Sequence, residues 1–101
     1  MKMPKQYILS EDGKIKECPD LIEWAKWMAA ANRKIAFDEI NDVRISTIFL
    51  GLDRNYFDGP PTLFETMIFG GEHDQYQERY STKEEALIGH QEAIALVKNE
   101  N

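Results

Sequence analysis

Two histidines, one cysteine and a few well-placed carboxylates are the residues of this 101-residue chain best suited to catalysis or metal binding. His73 and His90 are seventeen residues apart and lack the paired-ligand spacing that a helix-borne metal site uses, so no metal or other cofactor is expected. Cys18 has no second cysteine to bond and reads as a small residue ahead of a helix. Asp53 and Glu65 end one predicted strand and sit inside the next, where pairing of the strands would bring two carboxylates together for general acid and base work or for Mg²⁺. The same two residues suit structural work: Asp53 beside Arg54-Asn55 can close a loop on backbone amides, and Glu65 can pair with Arg44 or Arg79 across a sheet. Asp53, Glu65, Arg79 and His90 are the set that a cleft for a small molecule or nucleotide, or a minimal enzyme, would use. No nucleophile elbow, phosphate-cradling glycine loop, Cys/His pair or zincin helix accompanies them.

The elements that must position these groups follow from periodicity. Tyr7-Ile8-Leu9 and Lys14-Ile15-Lys16 flank an Asp12-Gly13 turn and predict a short hairpin. Leu21, Trp24, Ala25, Met28 and Ala29 have the i, i+3, i+4, i+7, i+8 spacing of one helical face, which predicts a helix over 20–31 with Asp20 and Glu23 at its start and Asn32 as a left-handed terminator. Trp27 falls one step off that stripe, as core flank or exposed anchor. Lys34 to Ile40 alternates weakly, with Ile35, Phe37 and Glu39 opposite Ala36, Asp38 and Ile40, and Asn41-Asp42 supplies a turn. Val43 to Leu52 and Thr62 to Phe69 read as adjacent strands, and Glu72 to Arg79 as a polar connection or edge strand. Ser81 and Glu84 have capping-box spacing before a last helix over 82–98, whose stripe is Ala86, Gly89 or His90, Ala93, Ile94 and Val97. On that stripe His90 reads as a hydrogen-bonded structural histidine.

These elements predict a single α+β domain over residues 1–101, a small antiparallel sheet with two helices packed on one face. Its expected core joins Leu21, Trp24 and Met28 with Ile48, Leu50, Phe64, Ile68, Ala93, Ile94 and Val97.

Composition narrows the partners. Twelve basic against eighteen acidic residues leave a net charge of −6, and the last thirty residues carry −4 of it. Phosphate binding needs a basic footprint, so direct nucleic-acid binding is not expected. No apolar run approaches the ~18 residues of a membrane span, so no membrane association is expected, and the basic start lacks the apolar stretch of a secretory signal, so the cell interior is the expected location. An acidic face at Glu78, Glu85 and Glu92 could meet a basic surface on a protein, or serve solubility alone. The segment Arg54-Asn55-Tyr56-Phe57-Asp58-Gly59-Pro60-Pro61 is the other interaction candidate: Tyr56, Phe57 and Asp58 would stand at a hairpin tip stiffened by Pro60-Pro61, unless the aromatics fold back over the core.

The run Ile45-Ser46-Thr47-Ile48-Phe49-Leu50-Gly51-Leu52-Asp53, the Gly59-Pro60-Pro61 loop, Leu63-Phe64-Glu65-Thr66-Met67-Ile68-Phe69-Gly70-Gly71, Tyr80-Ser81-Thr82-Lys83-Glu84-Glu85-Ala86 and Gly89-His90 together resemble a family of small, mostly uncharacterised proteins of tailed phages and prophages. The resemblance spans about residues 43–97 and carries no catalytic motif. It implies a phage accessory protein acting in the cytoplasm of an infected bacterium. With the size, the acidity and the lack of catalytic machinery, the expectation is a binding protein that inhibits a host defence component, of the anti-CRISPR kind, through a host protein with a basic surface. A virion or assembly component would instead form a stable oligomer.

Overall fold

The computed structural model describes residues 5–53 and 59–99. The chain opens with a hairpin of β1 (Tyr7–Leu9) and β2 (Ile15–Glu17), followed by α1 (Leu21–Ala30). A second, four-stranded antiparallel sheet is a meander of β3 (Lys34–Ile40), β4 (Val43–Phe49), β5 (Phe64–Phe69) and β6 (Gln77–Tyr80), and α2 (Lys83–Lys98) is the last of the described elements. The fold is α+β, with Gln77–Tyr80 taking the edge-strand alternative.

Local chemistry explains the joints. Asn41 and Asp42 both adopt positive φ, 48° and 69°, which lets a two-residue turn pair Ile40 with Val43. Asp20 accepts a hydrogen bond from the Glu23 amide and starts α1 as expected. The other end differs: Ala31 caps α1 in an extended conformation, and Asn32, rather than turning left-handed, accepts the Lys34 amide through its side chain and starts β3. The capping box of α2 is also one residue later than its predicted place. Because β6 runs to Tyr80, paired with Phe64, Ser81 is left as the link and Thr82 and Glu85 form the reciprocal box.

The core lies between α2 and one face of the sheet, and it uses the opposite face of β4 from the predicted one. Val43, Ile45, Thr47 and Phe49 are buried, whereas Ile48 and Leu50 are only half-buried. Both faces of β4 are apolar toward its end, so periodicity could not choose between them; the helix decided. One cluster joins Val43, Ile45 and Ile68 to Ala93 and Val97 of α2, with Ile94 half-buried against it. A second joins Phe49, Leu63, Phe64 and Ala86, and Trp27 of α1 meets Phe49 edge-on with ring centroids 5.8 Å apart. A β-bulge between Lys34 and Ala36 brings Ile35 against this cluster as well.

The first helix is a lighter attachment than its apolar stripe suggested. None of its residues is buried, and Leu21, expected in the core, is 62% exposed. Trp24 is half-buried and anchors by hydrogen bonding: its indole N–H lies 3.1 Å from the Tyr7 carbonyl oxygen and 3.0 Å from that of Gly51. Gly51 sits at φ +77°, and a Cβ there would come 2.6 Å from the Met28 sulfur, so glycine lets the end of β4 meet α1 and β1 at once.

Candidate functional site

Three places hold polar groups that could work together: the buried face under α2, the uncovered face of the sheet, and the edge formed by β6 with α2. On the buried face His90 Nε2 lies 2.7 Å from Asp38 Oδ2, and His90 Nδ1 lies 2.7 Å from Thr47 Oγ1. Thr47 in turn shares a short hydrogen bond with Thr66, its partner across β4 and β5. The Asp38 carboxylate can only accept, which places a proton on Nε2. A neutral ring then accepts from Thr47 at Nδ1, and Thr47 accepts from Thr66. Tyr80 continues the line. Its buried hydroxyl makes no hydrogen bond of good geometry; burial raises its pKa, and the adjacent Thr66 hydroxyl draws it part of the way back. Gly89 is what lets Tyr80 in, since a Cβ there would lie 2.0 Å from the tyrosine oxygen.

Carboxylate, imidazole and hydroxyl in this order reproduce the connectivity of a hydrolase triad. Accessibility decides against that chemistry. Thr47 is 0% and His90 1% exposed beneath α2, so no substrate carbonyl can reach the hydroxyl. The line of groups separates the two apolar clusters and, the Tyr80 hydroxyl aside, satisfies its own buried donors and acceptors, which ties β3, β4, β5 and α2 into one register. His90 is the structural histidine its place on the stripe indicated. Its partners were partly legible: Asp38 shared a face with Ala36 and Ile40, and Thr47 interrupted an apolar face.

On the opposite face Glu65 accepts from Arg79 Nε at 2.9 Å and from Gln77, both on β6. Of the two pairings considered, Arg79 is the one formed. Asp53 is buried, and its Oδ1 accepts the Thr62 backbone amide at 3.2 Å, the kind of bond expected of it. The sheet therefore lies between Glu65 with Arg79 and His90, and these groups do not share a cleft. Around Glu65 the uncovered face carries Phe37, Ile48, Met67 and Phe69, of which Phe37 is 45% exposed and the others half-buried. Lys34 stands 5.0 Å over the Phe37 ring and Arg44 5.9 Å over that of Phe69. Two shallow depressions, of about 50 and 290 Å³, share Ser46 and Phe69 along this surface. None of the described elements packs on it.

The acidic residues separate. Glu85 is spent on the Thr82 cap. Glu78 and Glu92 are exposed and close enough together that both add to the upward pKa shift of Tyr76, whose main cause is burial. Tyr56, Phe57 and Asp58 lie outside the described residues. Cys18 is buried, and its thiol is pushed up by desolvation and then by the Glu23 and Asp20 carboxylates, which keeps it a poor nucleophile. Among the described residues no group of three or more His, Cys, Asp or Glu is placed to hold a metal, and no helix is long and apolar enough to cross a membrane. No protein-family model, curated protein or solved structure matches the chain.

Proposed function

We propose that the protein works by binding another protein, with the uncovered sheet face as anchor and the Glu78 and Glu92 edge as an electrostatic guide. The observation that carries this reading is the row Phe37, Ile48, Met67 and Phe69, which no described element covers although the other side of the same strands is sealed. The aromatic members are held on a rigid sheet, so binding would order few side chains, and the face offers cations at Arg44 and Lys34 beside its rings. The net charge of −6 favours a partner with a basic surface. Read with the phage and prophage origin expected from the sequence, this makes an inhibitor of a host defence protein, of the anti-CRISPR kind, the proposed role.

The test is capture from a bacterial host lysate, comparing the parent with Phe37→Ser/Phe69→Ser and with Glu78→Lys/Glu92→Lys, followed by binding kinetics on the captured protein. The aromatic pair should speed dissociation by about a hundredfold, while the charge reversal should slow association mainly at low salt. A partner bound equally by all three proteins, or an activity abolished by His90→Ala in a protein that still folds, would overturn the proposal.

A further inference from the structure

The exposed side of α2 is patterned for a partner. Glu84, Ile88, Gln91, Ala95 and Lys98 recur at alternating spacings of four and three along it, and all five are exposed. Such spacing lines one stripe of a helix and is the seam that packed helix pairs use. Leu87 widens the stripe, and a shallow, almost wholly apolar depression runs over Leu87, Ile88, Gln91, Glu92 and Ala95. Ile88 is 62% and Leu87 43% exposed, an unfavourable display unless something covers them.

We infer that a second copy of this chain covers the stripe, with the two α2 helices antiparallel and the two-fold axis at Gln91. The charges select this occupant. Glu84 and Lys98 lie seven residues before and after Gln91, so an antiparallel pair sets each Glu84 opposite the other copy's Lys98, about 10 Å from the axis on either side. Leu87 and Ala95, four residues to either side, then meet as large against small, and the two Gln91 amides face each other, each able to donate and accept. A parallel pair would oppose Glu84 to Glu84 and Lys98 to Lys98. An isologous contact repeats every favourable pair twice, so one exposed helix provides two ion pairs and two apolar contacts. The two Glu92 carboxylates fall on the same flank near the axis and oppose association, which makes the dimer weak and concentration-dependent. The two sheet faces point outward, so the inferred dimer presents two copies of the sheet anchor proposed above, while Glu92 lies beside the two-fold axis and the guide is left to Glu78; the inference does not depend on that reading.

Sedimentation equilibrium on the whole chain tests this. The weight-average mass should rise from the 11.7 kDa of the monomer toward twice that value as concentration increases through the micromolar range. Ile88→Glu should weaken the dimer by about a hundredfold, and Glu84→Lys by about tenfold, while Glu84→Lys/Lys98→Glu restores it and Glu92→Gln tightens it. Circular dichroism and melting of each variant verify that α2 is retained. A protein that stays monomeric throughout, a dimer untouched by Ile88→Glu, or a charge swap no better than Glu84→Lys would each overturn the inference, as would a dimer broken by Phe37→Ser instead. Partner capture that survives Ile88→Glu separates this surface from the sheet face.

Discussion

The two faces of the four-stranded sheet are built from alternate residues of the same strands, and both carry a polar cluster amid apolar neighbours. Under α2 the cluster is Asp38, His90, Thr47 and Thr66; on the other side it is Glu65, Arg79 and Gln77. The first looks more catalytic and is the less able to act, because its hydroxyls are fully buried. The second is plain ion pairing, yet it sits among half-exposed rings where another molecule can reach. Cover decides which cluster can do chemistry with a partner and which can only hold the fold together.

The contrast is broken most forcefully by truncating an aromatic on each side. Phe49→Ala, which empties a site between Trp27 and Phe64, should cost about 3–5 kcal/mol, whereas Phe69→Ala should cost less than about 1 kcal/mol, both read from urea denaturation. Similar losses at the two positions would mean that the open face is covered.

His90→Ala should cost about 2–4 kcal/mol, since it leaves Thr47 without its ring partner and removes a buried ring. A change of less than about 1 kcal/mol, in the same denaturation experiment, would show that the polar line does not hold the register.

Gly89→Ala sharpens the same point from the helix side. The added methyl overlaps the Tyr80 ring, so the melting temperature should fall by an amount equivalent to about 1–3 kcal/mol, and Gly89→Ala/Tyr80→Phe should recover part of it.

Glu65→Gln is the smallest effect. Glu65 is itself buried, but its partner Arg79 is about a third exposed and solvent screens the pair from that side, so the loss should be about 0.5–1 kcal/mol and should shrink in high salt. A larger, salt-insensitive loss would show that the burial of Glu65 outweighs the exposure of Arg79.

Turn chemistry and periodicity made much of the architecture legible. Asn41-Asp42 and Asp12-Gly13 mark tight turns whatever the rest of the chain does, because the backbone preferences of those residues act locally. The stripe of Ala86, His90, Ala93 and Val97 likewise required a helix with one small-residue face, and that face is buried. What local pattern could not supply was the choice between equivalent surfaces. β4 is apolar on both sides at its end, and only the docking of α2 buried Ile45 and Phe49 rather than Ile48 and Leu50. The stripe of α1 was equally regular, yet the helix packs on β1 rather than on the four-stranded sheet, so Leu21 stayed outside and Trp24 became a hydrogen-bonding anchor.

The composition, the turns and the helical stripes were determined by the sequence itself, since they depend on residues within a few positions of one another. The separation of Glu65 from His90 by the sheet, the meeting of Asp38 with a histidine fifty-two residues away, and the face left open to a partner were decided only by tertiary structure. Each depends on which of two chemically similar surfaces a distant helix covers, and burial, which gives a polar group its energetic weight, is a property of that packing and not of any local run of residues.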